Sequence, residues 1–139
     1  MKAYIDSDVI LDVLLAREAH LHASSQILDR CETGIIRGCT TALAIANIYY
    51  ILRCYDATRA KRAIQSIRAI LTVLPVSDRE IELALQAPFK DFEDGVQNFV
   101  AEAHHCRWIL TRNKKDYAGS ALKVLTPNEY LLIGSSRSP

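Results

Sequence analysis

Several features that would place a chain in a familiar class are missing from this sequence. No stretch approaches the ~20 uninterrupted apolar residues that a membrane-spanning helix needs. Acids at Asp6, Asp8 and Asp12 interrupt the apolar N-terminal stretch before a signal-peptide core could form. Internal repeats and low-complexity segments are also lacking. We therefore expect a cytoplasmic protein that makes no use of a membrane.

An excess of charge and a pattern of cysteines are absent as well. Seventeen basic against sixteen acidic residues give a formal charge of +1, so nucleic-acid binding must depend on local patches. The four cysteines form no C-x-x-C pair, and no regular spacing suggests a zinc site or a disulfide framework. We predict buried thiols in a reducing cytosol. Neither pair of histidines has the i, i+4 spacing of helical metal ligands.

What the chain has is an alternation of short apolar runs with helical patterns. Strands are predicted at 2–5, 37–40, 73–76, 108–110 and 123–125, and helices at 7–14, 24–31, 41–52, 57–71, 77–85, 92–105 and 127–132, with a turn at 17–22. This alternation favours an α/β fold, a three-layer α/β/α sandwich around a mainly parallel sheet of about four or five strands. We expect one domain over residues 1–134 and a polar tail over 135–139.

Carboxylates follow or flank these elements at three places far apart in sequence. Asp6 comes directly after the first strand, Asp94 lies in the first turn of a helix, and Asp116 follows the strand that ends at Leu110. Where parallel strands end at one edge of an open sheet, such acids meet in the crevice that binds ligands. Oxygen ligands suit Mg²⁺ or Mn²⁺. The sequence therefore predicts a divalent-metal site made by Asp6, Asp94 and Asp116.

Each acid also has a purely structural interpretation. Asp6 can serve the dipole of the first helix, for which Ser7 is a plausible N-cap. Asp91 and Asp94 have the spacing of an N-cap and an N3 residue, and we expect Asp91 to cap the helix while Asp94 projects into the crevice. Asp8, Asp91 and Glu93 are weaker ligand candidates. Asp12, one helical turn past Asp8, is predicted to lie at the surface.

Basic and amide side chains accompany the acids. Arg112, Lys114 and Lys115 lie in the loop before Asp116, where they are predicted to bind substrate phosphates. Asn47 is an isolated polar residue in the apolar helix 41–52. Such an amide must find hydrogen-bond partners, either within the core or at the acidic crevice.

These residues carry a resemblance to a known family. The segments 4–12, 91–94 and 111–117, in that order, look like a PIN domain, most closely the small bacterial group that includes VapC-type toxins. The strand-to-helix step at 124–127 extends the likeness over nearly the whole chain. Asp6, Asp94 and Asp116 match acids of that family, and Tyr117 takes the place of an aromatic residue. Asn113 falls where many members have Asp, and Asn47 falls where most have Glu.

The resemblance implies a ribonuclease whose acids bind Mg²⁺ or Mn²⁺ and activate water to cleave a phosphodiester. Asp6, Asp94, Asp116, Asn47 and Asn113 would form its catalytic set. RNA is then the substrate, and both a cognate antitoxin protein and a homodimer are implied as partners, although no residue of this sequence shows either.

Two other functions stay open. Asn47 contributes no charge where the family usually has Glu, so the chain is alternatively a weak or inactive module that binds RNA or protein without cutting. Asp6-Ser7-Asp8 also resembles the opening of haloacid-dehalogenase-type phosphatases, in which the first Asp is a nucleophile. Val9 stands where that family favours Gly, and the chain is short for that fold with its cap.

Overall fold

The sheet has five strands. The structure, a computed structural model, describes residues 2–136 and the side chains of residues 2–133. The strands are β1 (Lys2–Ile5), β2 (Arg37–Thr41), β3 (Thr72–Leu74), β4 (Trp108–Leu110) and β5 (Lys123–Leu125). They pair in the order β3-β2-β1-β4-β5, and all four pairings are parallel. The prediction of an α/β fold with a mainly parallel sheet is therefore confirmed.

Helices cover both faces of the sheet. They are α1 (Ser7–Leu14), α2 (Glu18–Glu32), α3 (Ala42–Arg53), α4 (Ala57–Ile70), α5 (Asp78–Gln86), α6 (Phe92–Ala103) and α7 (Pro127–Ser136), with a 3₁₀ turn at Lys114–Tyr117. One core lies between the sheet and α1, α2, α4 and α7, and it includes Ile5, Ile27 and Leu110. The other lies between the sheet and α5 and α6, and it includes Tyr4, Val96 and Ile109. The three layers follow from this division.

Local signals set several helix ends. The predicted capping boxes of α5 and α7 are both formed: Ser77 pairs with Glu80, and Thr126 exchanges two hydrogen bonds with Glu129 at 3.0 and 3.1 Å. Gly34 ends the α2 region with φ +83°, a left-handed conformation that glycine adopts without strain. These boundaries are local, and the sequence predicts them for that reason.

Other boundaries differ from their predictions. Asp6, rather than Ser7, is the N-cap of α1. The predicted turn over 17–22 is helical from Glu18, since α2 begins six residues earlier than its apolar pattern suggests. Helix α7 continues to Ser136, past the predicted end at 132 and into the predicted tail, while residues 137–139 of that tail lie outside the described residues.

The thiol prediction is correct for three of the four cysteines. Cys31, Cys39 and Cys106 are buried and free, whereas Cys54 is free but exposed at the end of α3. Among residues 2–136, the helices are all too short or too polar to cross a bilayer.

The topology places one crevice at the centre of the sheet. From β1 the chain moves outward to β2 and β3, and then returns to the other side of β1 to form β4 and β5. The strand order therefore reverses between β1 and β4, and ligands of open α/β sheets bind at the carboxyl ends of strands at such a point. Asp6 follows β1 there, and Thr111 follows β4.

Candidate metal centre

The ends of β1 and β4 are tied together by Asp6 and Thr111. The backbone N–H of Asp6 donates to the carbonyl of Leu110 at 2.9 Å, which extends the parallel pairing by one residue. The Oδ1 atom of Asp6 accepts the N–H of Ser7 at 2.8 Å, and its Oδ2 accepts the hydroxyl of Thr111 at 2.8 Å. Asp6 is thus both the helix cap and a carboxylate fixed at the crevice.

Asp8 is more central than its position in the sequence suggests. Its Oδ2 atom accepts hydrogen bonds from the Thr111 hydroxyl at 3.2 Å, the Arg112 N–H at 3.1 Å and the Asn113 side-chain amide at 3.0 Å. Its Oδ1 atom is buried and has no hydrogen-bond partner among the described residues. The loop after β4 therefore folds over Asp8, which the sequence ranked only as a weaker candidate.

Thr111 connects the two carboxylates, and sequence reasoning missed it. Its hydroxyl lies within hydrogen-bonding distance of Asp6 Oδ2 and Asp8 Oδ2, and it accepts the N–H of Asn113 at 3.1 Å. A hydroxyl has one proton, so it cannot serve both carboxylates at once. The available signal was positional, because Thr111 is the first residue after β4, as Asp6 is after β1.

No salt bridge in the described part of the chain involves Asp6 or Asp8. Burial and then the charge of Asp8 raise the pKa of Asp6 to about 7, against the hydrogen bonds from Thr111 and Ser7. Burial also raises the pKa of Asp8, although the N–H and the charge of Arg112 oppose this shift. The two carboxylates are therefore costly to ionise together, and a cation would relieve that cost.

Helix α6 contributes Asp94 from the opposite side of the crevice. Asp91 caps the helix, as predicted, because its Oδ1 atom accepts the N–H of Asp94 at 3.0 Å. The side chain of Asp94 is left to face other acids. Burial raises its pKa to about 7, and the charges of Asp91, Asp116, Glu93 and Asp8 add to the shift. These four acids therefore oppose the ionisation of Asp94.

Asp116 lies in the 3₁₀ turn and is exposed. Its N–H donates to the carbonyl of Asn113 at 3.0 Å, which closes the 3₁₀ turn. Tyr117 is buried beneath the turn and packs edge-on against Phe89 with 6.5 Å between ring centroids. The aromatic residue therefore anchors the turn that carries Asp116.

Asn47 reaches the acidic region from α3. Its Nδ2 atom donates to Glu93 Oε1 at 2.5 Å, between residues 46 positions apart. Of the two interpretations of this amide, the structure therefore favours the crevice over the core. Its partner is Glu93, the residue before Asp94 in α6.

The basic residues have roles that the sequence did not predict. Asp12 was expected at the surface, but it is fully buried and its carboxylate meets Arg112 Nε at 2.7 Å and Arg17 Nη1 at 3.4 Å. Ser24 also donates to it at 3.1 Å. Of the three predicted phosphate ligands, Arg112 thus pairs with Asp12, and Lys114 pairs with Glu129 at 3.1 Å. Lys115 is exposed and forms no salt bridge with a described residue.

The donor set fits a hard divalent cation in its chemistry. The crevice offers carboxylate oxygens, which Mg²⁺ and Mn²⁺ prefer, and the Oδ1 atom of Asp8 is a buried acceptor that lacks a donor. No salt bridge in the described part of the chain involves Asp6, Asp8 or Asp94. Within residues 2–133, however, no three His, Cys, Asp or Glu side chains are already arranged to hold an ion. The fit therefore lies in the chemistry of the donor atoms.

Comparison with known proteins agrees with this geometry. The model of the PIN domain family matches residues 2–115. The chain belongs to the PIN domain family. Ribonuclease VapC1 of Aquifex aeolicus (strain VF5) is 28% identical over 134 residues, which cover 93% of this chain and 92% of that protein.

Solved structures share the PIN fold. VapBC2 from Rickettsia felis, in a crystal structure with a DNA fragment from their promoter, has a TM-score of 0.72 at 10% identity and covers 91% of this chain and 98% of that one. A toxin-antitoxin complex from Klebsiella pneumoniae has a TM-score of 0.66 at 19% identity and covers 90% and 97%. At these identities the likeness concerns the fold.

Proposed function

We propose that this PIN domain is a ribonuclease that hydrolyses RNA phosphodiester bonds with Mg²⁺ or Mn²⁺. The observation that carries the proposal is the meeting of Asp6 and Asp8 through Thr111 at the ends of β1 and β4, without a basic side chain in a salt bridge to either carboxylate. Ribonuclease VapC1 of Aquifex aeolicus, which aligns over nearly the full length of both chains, supports RNA as the substrate.

The roles of the residues follow from their positions. Asp6, Asp94 and Asp116 hold the cation, and Asp8 contributes through its unpartnered Oδ1 atom. The bound cation supplies Lewis acidity at the phosphate and activates water. Asn113 orients Asp8 by its amide, and Asn47 orients Glu93.

The basic loop beside these acids positions the RNA backbone. Lys115, which is exposed, contacts phosphate directly, and Lys114 does so if it leaves Glu129. Arg112 acts through its backbone N–H on Asp8, because its guanidinium is held by Asp12.

We further propose that the protein is a toxin component that works with a cognate antitoxin and forms a homodimer. The name VapC1 and the toxin-antitoxin complex among the structures that share this fold support the proposal. Co-expression with the product of a small neighbouring gene tests it. Recovery of a stable complex, together with relief of growth inhibition, is the expected result.

A nuclease assay on single-stranded RNA tests the catalytic proposal. Cleavage should require Mn²⁺ or Mg²⁺, stop with EDTA, and fall on the order of 100-fold in Asp6→Asn and Asp94→Asn. Asp29→Asn is the matched control, because Asp29 is exposed on α2, in the layer opposite α6. Cleavage by Asp6→Asn at the rate of Asp29→Asn would remove Asp6 from the site.

A second candidate is a PIN module that binds RNA or protein without cutting it. The neutral amide of Asn47 favours it, because Asn47 adds no charge to the site. RNA binding that persists in EDTA, with no cleavage under any metal, would select this function. Membership in the PIN family leaves the phosphatase hypothesis without an observation in its favour.

A further inference from the structure

The bond between Asn47 and Glu93 joins two helices at the rim of the crevice. Asn47 lies in the middle of α3, and Glu93 lies in the first turn of α6. A carboxylate can only accept hydrogen bonds, so the amide must present its Nδ2 atom, as it does at 2.5 Å from Oε1. An exposed glutamate at a helix start normally moves freely in water, whereas this one has a fixed partner 46 residues away.

A neutral partner orients a carboxylate without cancelling its charge. Asp12 is held by two arginines and Glu129 by Lys114, so those acids are compensated. Glu93 is held by an amide, and it forms no salt bridge with any residue of the described chain. Its Oε2 atom accepts no hydrogen bond within that same part of the molecule. Glu93 therefore keeps both its negative charge and a free oxygen.

The charge of Glu93 acts on groups beside it in the fold. It is among the charges that act on Asp94, the next residue in α6, and on Tyr4, which is completely buried. Tyr4 packs in the core on the α6 face of the sheet, two residues before Asp6, which directly follows β1.

Several buried side-chain atoms lack a hydrogen-bond partner among the described residues, and three of them belong to Tyr4, Tyr117 and Asp8. The hydroxyl of Tyr4 is buried and lacks a hydrogen-bond partner among the described residues, as does that of Tyr117, which is 1% exposed. The Oδ1 atom of Asp8 is likewise buried and lacks a hydrogen-bond partner among the described residues. Buried polar groups are normally satisfied, and the unpartnered carboxylate oxygen of Asp8 is one that a bound cation would satisfy.

We propose that Glu93, oriented by the amide of Asn47, is the fourth carboxylate of the cation site. The proposal rests on the metal-dependent function proposed above and names a further ligand for it. Family members usually carry Glu at the position of Asn47, and here the charge is supplied from α6 while α3 supplies the hydrogen-bond donor. Asn47 is then a positioning residue, and the number of charges at the site is preserved.

Calorimetric titration of Mn²⁺ into the purified full chain, without RNA, tests this assignment. We expect Glu93→Gln to weaken binding about tenfold, and Asn47→Ala to weaken it less, because the carboxylate remains but is no longer held. Glu102→Gln is the matched control: Glu102 is exposed in the last turn of the same helix, and it should bind Mn²⁺ as the wild type does.

A double variant in which the amide and the carboxylate exchange places separates the positioning of Glu93 by Asn47 from a general effect on structure. In the double variant Asn47→Glu with Glu93→Gln, donor and acceptor exchange helices, so Mn²⁺ affinity should recover to within about threefold of the wild type. A double variant as weak as Glu93→Gln overturns the pairing.

The results for these variants separate the assignment of Glu93 as a ligand from the metal-dependent function proposed above. If Asp94→Asn loses Mn²⁺ while Glu93→Gln binds like Glu102→Gln, Glu93 is not a ligand and the metal-dependent function stands. If the wild type binds no Mn²⁺ or Mg²⁺, both proposals are overturned.

Discussion

Two aspartates of α1, one turn apart, are treated by the fold in opposite ways. Asp12 is fully buried and paired with Arg17 and Arg112, whereas Asp8 accepts hydrogen bonds from a hydroxyl, an amide and a backbone N–H. Arg112 serves both, with its guanidinium on Asp12 and its N–H on Asp8. A compensated acid strengthens the fold, and an uncompensated one is available to a ligand. The difference separates structural from functional carboxylates within a single helix.

The largest expected effect is the loss of stability when the paired acid, Asp12, is changed. Asp12→Asn leaves two arginines without their counter-charge beside a buried site, and we expect it to lower the free energy of unfolding by about 3 kcal/mol. Denaturation in urea measures this loss, and Asp29→Asn should stay within about 0.5 kcal/mol of the wild type. A wild-type midpoint for Asp12→Asn would mean that the ion pairs contribute nothing.

For an acid without a basic partner, the expected change in the free energy of unfolding has the opposite sign. Asp94→Asn removes a charge that burial and neighbouring acids make unfavourable, so at pH 8 without metal it should raise the free energy of unfolding by on the order of 1 kcal/mol. The same change should abolish Mn²⁺ binding. Paired urea denaturation with and without Mn²⁺ measures both effects. A destabilised Asp94→Asn would instead mean that Asp94, like Asp12, strengthens the fold.

The pH dependence of stability sharpens the comparison further. The pKa values of Asp6 and Asp94 rise from 3.8 to about 7 in the folded protein, so the folded state binds more protons than the unfolded state between these values. The stability from these groups is complete below about pH 4 and is lost as the pH rises through 7. Thermal melts should therefore show a larger stabilisation by Mn²⁺ at pH 8 than at pH 5.5. Equal stabilisation at both values would contradict this account.

The smallest effect concerns an exposed pair. Lys114 and Glu129 have side chains 45% and 43% exposed, so Lys114→Ala should change the free energy of unfolding by about 0.5 kcal/mol or less. Lys115→Ala should likewise leave stability unchanged but weaken RNA binding, with a smaller salt dependence of affinity. Filter binding at two salt concentrations measures this. Unaltered RNA affinity in both variants would show that this loop does not contact phosphate.

Prediction from sequence succeeded where the interactions are local. The strands at 108–110 and 123–125 and both capping boxes depend on neighbours within a few residues, and they lie where the patterns indicated. Asp91 was predicted as a cap for the same reason. The metal-ligand roles of Asp6, Asp94 and Asp116 stay a prediction, although the pKa values of Asp6 and Asp94 are raised and the charge of Asp116 contributes to the shift of Asp94.

The interactions that the sequence did not predict join residues that are far apart in the chain. The partner of Asp12 is Arg112, 100 residues away, and that of Asp8 includes Asn113, 105 residues away. A helical pattern cannot distinguish a solvated acid from one that is buried with distant arginines. Arg112 was expected to bind phosphate for the corresponding reason, since a basic loop residue gives no sign of an internal partner.

The sequence by itself determined the alternation of strands and helices, the parallel sheet and the positions at which acids follow strand ends, because period, capping and turn chemistry act over a few residues. Tertiary structure decided which acids are paired with basic side chains and which are not. The folding of the loop after β4 onto α1 gives Asp12 its arginines and Asp8 its neutral donors, and the approach of α3 to α6 gives Glu93 its amide. Charge compensation depends on distances of a few ångströms between residues remote in the chain, which only the packed fold fixes.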